Sequence, residues 1–278
     1  MADYLRPTSL DEALAALAER PWTMLAGGTD VYPAAVGRPI TDDVLDVTAL
    51  ASLRAITAAD GLVRIPALAT WTDVVRADLP AAFDGLKAAA RSIGGVQIQN
   101  RGTLAGNLCN ASPAADGLPN LMALDARVEL SSASGSREMP VGEFVLGNRR
   151  TVRRPDELVT AIVVPEPSST ARSTFLKLGT RAYLVISIAS VAAVVDVEAD
   201  GVVASARIVV GACSEVPMRI EAAEARLVGQ PASPSLADAI EPTDLAVLAP
   251  IDDVRGTAAY RRDVAFTLVR RAVWELLA

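Results

Sequence analysis

"SIGGVQIQNRGTLAGNLCNASPAAD" runs from Ser92 to Asp116. It holds four glycines, three asparagines and one cysteine, and its only charge before the closing aspartate is Arg101. The run is too polar and too rich in glycine for a core helix, and too long for a turn. Glycine lets backbone N–H groups crowd around an anion, because no Cβ blocks the approach. Within the run, "RGTLAGN" (Arg101–Asn107) adds Thr103 and Asn107 as side-chain donors. Two plainer roles stand beside this one. Asn107 and Asn110 can satisfy loop backbone, and Asp116 can cap the next helix.

A second stretch of this kind, "LAGGTD" (Leu25–Asp30), follows a predicted strand at Thr23–Ala26. Its amides and the Thr29 hydroxyl form a neutral nest suited to phosphate. The plain alternative is a tight turn with Asp30 as helix N-cap. The chain lacks both G-x-G-x-x-G and G-x-x-x-x-G-K-[ST]. Two nests without either motif point to an extended diphosphate ligand held by a different fold.

The rest of the chain bounds the possibilities. Its 278 residues are 51% apolar, enough for two domains or one large one. There is no histidine and no C-x-x-C, and Cys109 and Cys213 lie far apart. This excludes within the chain a zinc site, an iron–sulfur cluster, histidine-ligated haem and a Ser-His-Asp triad. Such cysteine usage fits a reducing, cytoplasmic compartment. A net charge of −7 argues against nucleic acid as a partner. The opening "MADYLRPTSLDEA" has no basic region followed by an apolar one, so no signal peptide is expected. "AYLVISIASVAAVV" (Ala182–Val195) is too short to span a bilayer and reads as buried strand or core helix.

Ser9 and Glu12 predict a capped helix whose buried face carries Leu10, Ala13, Leu14 and Leu17. With the strands at Thr23–Ala26 and Val44–Leu50 it makes a small βαβ-like unit. Further strands are expected at Gly61–Thr70 and over "ELVTAIVVP", with a hairpin about Ser134–Gly135. "PEPSSTARS" (Pro165–Ser173) is the candidate linker. Beyond it, strands are expected at Thr174–Leu178, Leu184–Val197 and Val202–Gly211, and helices at Arg219–Val228 and Thr257–Leu277.

"LAGGTDVYP" (25–33) and "IGGVQIQNRGTLAGNLCNASPAADGLPNLMALDA" (93–126) together resemble the FAD-binding medium subunit of the molybdenum hydroxylases, the xanthine dehydrogenase and aerobic carbon monoxide dehydrogenase type. "RRPDELVTAIVVP" followed by "FLKLGTRAYLVISIASVAAVV" resembles that family's passage into its C-terminal domain. The resemblance implies an α+β protein. A two-part FAD-binding domain of the vanillyl-alcohol-oxidase (PCMH) type would occupy 1–167, divided into about 1–56 and 57–167. A smaller α+β domain with an antiparallel sheet would occupy 174–278. The residues matching FAD positions are Ala26, Gly27, Gly28, Thr29 and Asp30; Thr103, Leu104, Ala105, Gly106 and Asn107; and Ile93, Asp116, Val159, Lys177 and Tyr183. Tyr183 falls where a residue beside the isoalloxazine is expected. Ala105 departs from the glycine usual there, and its methyl narrows the pyrophosphate approach unless the backbone φ is negative.

The function implied is electron transfer. Molybdopterin on a large partner subunit would oxidise the substrate, and two [2Fe-2S] clusters on a small partner would carry electrons to FAD on this chain. The acceptor would be NAD or another external oxidant. No catalytic residue and no metal ligand is expected here. The alternatives are a stand-alone FAD reductase of the same fold, such as the enolpyruvyl reductase of cell-wall synthesis, and a flavin-free binding or assembly module. Lys177, one of only two lysines, is either a solvated strand residue or a contact to the flavin. Cys109, Trp22 and Trp71 read as packing residues. The pairs Arg149–Arg150 and Arg153–Arg154 read as a solvated face or a dock for an acidic partner.

Overall fold

The structure, a computed structural model, describes residues 2–182 and 184–278. The N-terminal unit holds β1 (Tyr4–Leu5), α1 (Leu10–Glu19), β2 (Thr23–Leu25), α2 (Val31–Ala34) and β3 (Val44–Asp46). Its three strands form a parallel sheet in the order β1-β3-β2. Ser9 caps α1 by accepting from the Glu12 amide, and Glu12 returns the favour to the Thr8 amide. Ala13, Leu14 and Leu17 are buried as the periodicity predicts, against Leu45, Leu50 and Leu53.

Next come β4 (Thr57–Ala59), β5 (Leu62–Pro66), α3 (Trp71–Arg76), α4 (Asp84–Ser92), α5 (Val96–Gln99), α6 (Leu104–Asn110) and α7 (Gly117–Ala123). They are followed by β6 (Arg127–Ser132), β7 (Gly135–Pro140), α8 (Val141–Phe144), β8 (Val145–Gly147), β9 (Arg150–Thr151) and β10 (Leu158–Pro165). Strand β10 lies at the centre of an antiparallel sheet, order β4-β5-β10-β6-β7. It is buried throughout except Pro165. Two carboxylates anchor the sheet. Glu129 pairs with Arg64 across β10 and accepts from Thr160. Glu157, 3% exposed, accepts from Arg137 at 2.6 and 2.9 Å and from the Arg154 amide at 2.7 Å.

The C-terminal unit is a four-stranded antiparallel sheet of β11 (Arg172–Leu178), β12 (Ala189–Val197), β13 (Val203–Gly211) and β14 (Met218–Arg219), with α9 (Glu221–Leu227) and α10 (Ala258–Leu277). Both faces of this sheet are covered. Ala192 and Val194 of β12 join the core under α4 and α7, and Val191, Ala193 and Val195 join the core under α9 and α10. Period-2 alternation with two apolar phases produces the continuous apolar run in the sequence. Arg261 of α10, 2% exposed, donates to the carbonyls of Ile188 and Ala212 and pairs with Asp253 at 2.7 Å.

Two expectations are corrected. Residues 92–116 are not a single loop but carry α5 and α6. These short helices are fixed by tertiary bonds rather than by periodicity. Strand β12 begins at Ala189 rather than Leu184, because Leu184 takes φ +52° and Ile186 is exposed.

The Arg137 guanidinium holds the Glu157 carboxyl below its ordinary range despite the desolvation that opposes it. The unfolded chain therefore takes up its proton first as pH falls, so this stabilisation is full above about pH 5 and is lost toward acid. Thermal melting from pH 7 to 3 is expected to show Glu157→Gln less stable than wild type at pH 7, with the gap closing as pH falls. Parallel curves would assign Glu157 no part in acid lability.

Candidate functional site

The two glycine stretches meet. Strand β2 delivers Ala26–Asp30 to the start of α2. A Cβ on Gly27 would overlap the Arg101 carbonyl and stand 3.0 Å from the Gly102 Cα. Only glycine allows that approach. Gly28 takes φ +73°, and a Cβ there would strike the Tyr32 ring. Among the described residues, the amides of Gly28, Thr29 and Asp30 find no acceptor. Asp30 does not cap α2; its carboxylate pairs instead with Arg149 at 3.0 Å.

The second stretch is pinned from beneath. The Ile98 carbonyl accepts from the amides of Arg101 and Gly102, at 3.2 and 2.7 Å. The Gly102 carbonyl accepts from the Trp71 amide at 3.1 Å, and the Leu104 amide donates to Ala69. The Trp71 indole, 2% exposed, forms a floor reaching from Gly102 to Gly117. Thr103 caps α6 by accepting from the Gly106 amide at 3.0 Å. A Cβ on Gly102 would lie 3.3 Å from the Thr29 hydroxyl, so the two stretches share one surface.

Ala105 sits inside α6, where φ is negative, and is 4% exposed within the main core. Its methyl packs inward and narrows nothing. Leu104 and Val159 are also core residues, 1% and 3% exposed. Ile93 ends α4 and packs partly buried against the same core. Gly106 is exposed on α6. The Asn107 side-chain oxygen is buried without a donor, and a Cβ on Gly117 would stand 2.8 Å from it.

Asp116, 6% exposed, leaves α7 uncapped and turns toward the C-terminal sheet. It accepts from Lys177 Nζ at 2.7 Å and from the Ser187 hydroxyl at 2.5 Å. Lys177 also lies 3.5 Å from the Val185 carbonyl. Lys177 is therefore neither solvated nor a free cation. Its side chain is 11% exposed and its charge is compensated. Tyr183 lies outside the described residues.

Sequence reasoning missed Ser187, which carries no local signal. It also missed Arg149, whose doublet reads like any solvated pair. Burial pushes the thiols of Cys109 and Cys213 up to about 11, so neither is a ready thiolate. Among the described residues, no three His, Cys, Asp or Glu side chains are grouped to hold a metal. No helix among them is long and apolar enough to cross a membrane.

Residues 1–167 match the family model described as the FAD binding domain in molybdopterin dehydrogenase. Residues 174–276 match the CO dehydrogenase flavoprotein C-terminal domain. The nicotinate dehydrogenase FAD-subunit of Eubacterium barkeri is 32% identical over 241 residues, 82% of this chain and 80% of that one. The glyceraldehyde dehydrogenase medium chain of Sulfolobus acidocaldarius is 32% identical over 278 residues, 98% of this chain and 97% of that one. A chain of the reconstituted CO dehydrogenase from Oligotropha carboxidovorans superposes with a TM-score of 0.90 at 28% identity, covering 100% of this chain and 97% of its own.

Removing one partner of a buried ion pair leaves an uncompensated charge, which costs on the order of 3–5 kcal/mol. Lys177→Met is expected to lose about that much stability in denaturant titration. Adding Asp116→Asn should recover a good part of it. A loss under about 1 kcal/mol for Lys177→Met would make the pair an ordinary solvated contact.

Proposed function

Because this chain belongs to the family of FAD-binding subunits of the molybdopterin dehydrogenases, we propose that it binds one FAD non-covalently and serves as the electron-transfer subunit of a three-part molybdenum hydroxylase. The observation that carries this reading is the contact of Gly27 with Arg101–Gly102, which sets two amide-bearing stretches side by side. The unpaired amides of Gly28, Thr29 and Asp30 suit a diphosphate that needs donors but no added charge. The buried, donor-less oxygen of Asn107 suits a ligand N–H or hydroxyl.

Thr29 and Thr103 would add hydroxyls, and Ala26, Leu104, Ala105, Gly106 and Val159 would contribute through main chain or packing. Ile93 lies at the end of α4, beside the second stretch. Lys177 and Asp116 form a net-neutral pair at the junction with the C-terminal sheet. FAD supplies the redox chemistry, and this chain supplies its placement and electrostatic surroundings. The division at 1–167 and 174–278 separates the cofactor-binding part from the part that completes its cover.

Electrons would arrive from [2Fe-2S] clusters of a small partner subunit, drawn from a molybdopterin subunit, and leave to NAD or another acceptor in the cytoplasm. The two curated relatives are named as a subunit and a chain of larger dehydrogenases. This favours the reading over a stand-alone reductase or a flavin-free module.

Acid precipitation of the purified chain is expected to release free FAD near one equivalent. Yellow colour retained by the pellet, or no flavin after reconstitution, would overturn the proposal. Affinity purification from the native host is expected to bring molybdenum and iron with the chain. Because the Lys177–Asp116 pair is neutral, its two halves should tune the flavin in opposite directions. Spectroelectrochemical titration should find Lys177→Met lower and Asp116→Asn higher in midpoint potential than wild type. Equal potentials in all three would remove both residues from the flavin's surroundings.

A further inference from the structure

Arg149 belongs to none of the positions that match the FAD site, yet three contacts fix it beside the first glycine stretch. It stands at the tip of the β8–β9 ribbon with φ +56°, a left-handed conformation strained for a non-glycine residue. Its amide donates to the carbonyl of Asn110, the last residue of α6, at 3.2 Å. Its guanidinium spans the chain to reach Asp30, 3.1 and 3.0 Å from the two carboxylate oxygens. The next residue, Arg150, pairs with Glu215 at 2.7 Å, which ties the same ribbon to the C-terminal unit.

The pair itself contributes little to folding. Arg149 and Asp30 are 59% and 46% exposed, the range in which ion pairs are screened and weak. Its local consequence is larger. Asp30 supplies one of the amides of the first stretch that find no acceptor among the described residues, and also carries a carboxylate. Left alone, that carboxylate would oppose an incoming diphosphate, or fold over the start of α2 and take an amide for itself, as aspartate does at an N-cap. It does neither here: it accepts nothing from α2 and points to Arg149.

We infer that Arg149 is a positioning residue for the FAD diphosphate, acting through Asp30: it neutralises that carboxylate and holds it off the amides. The inference rests on the FAD reading above. It assigns Asp30 a main-chain role at the ligand and a side-chain role at Arg149.

The test is FAD titration into the flavin-depleted 278-residue chain, followed by flavin fluorescence, at low and high salt. Arg149→Gln is expected to raise Kd by roughly three- to tenfold at low salt, and less at high salt. Arg149→Lys keeps the charge and should stay near wild type. Asp30→Asn alone should bind FAD at least as tightly as wild type. Added to Arg149→Gln, it should restore most of the lost affinity. A merely structural clasp predicts the reverse, since Asp30→Asn would break it and weaken binding. Unchanged affinity in Arg149→Gln, or a loss that Asp30→Asn does not rescue, would overturn the inference. Failure of wild type to bind FAD would instead overturn the FAD reading. Melting of the apo proteins guards against misfolding: Arg149→Lys and Asp30→Asn carry the test if Arg149→Gln melts early.

Discussion

The Arg101 carbonyl stands where a side chain on residue 27 would begin. That single absence of a Cβ lets the two glycine stretches touch along their backbones. Other features are arranged to hold the contact. Trp71 supports the second stretch from below and anchors Gly102 through its own amide. Thr103 closes α6 at the point where the chain leaves the contact. Gly28 turns the chain at positive φ, which keeps the next amides out of regular pairing. Main-chain donors brought together this way need no basic side chains. An acidic protein with two lysines can thus present an anion site.

The second organising element is the C-terminal sheet. Gly85 of α4 lies against the Thr174 carbonyl, and its amide donates to Ser173, so helix and strand edge meet without a spacer. Lys177 reaches from β11 to Asp116, which is placed by the start of α7. The pair joins the start of α7 to the C-terminal sheet. Burial of both ions is tolerable because the Ser187 hydroxyl and the Val185 carbonyl share their remaining hydrogen-bonding capacity.

Much of this was legible in the sequence where the cause is local. The Ser9 cap and the hairpin at Ser134–Gly135 follow from a few adjacent residues. So does α10, whose cap is Thr257. The apolar run before Val195 signalled a buried element and a strand was expected there, but its start was misplaced and its covering on both faces was not read. Nothing in "YLVIS" announces that residue 184 turns left-handed. Helices α5 and α6 escaped because short helices in glycine-rich sequence are set by what they pack on. The glycine stretches were legible from their own residues as amide nests, while the roles of Asp116 and Lys177 came from the resemblance. Their meeting is tertiary: Lys177 and Asp116 are 61 residues apart, and Arg149 and Asp30 are 119 apart.

Strand β12 is covered on both faces. Ala192 and Val194 complete one core while Val191, Ala193 and Val195 complete the other. Cutting the chain in the 166–171 connection would therefore strip apolar surface from both halves at once, unlike a cut between beads on a string. The strands after the connection form an inner wall of the part before it. Any exchange of C-terminal halves among such subunits must then respect the packing of α4 and α7 as strictly as the chemistry of the site.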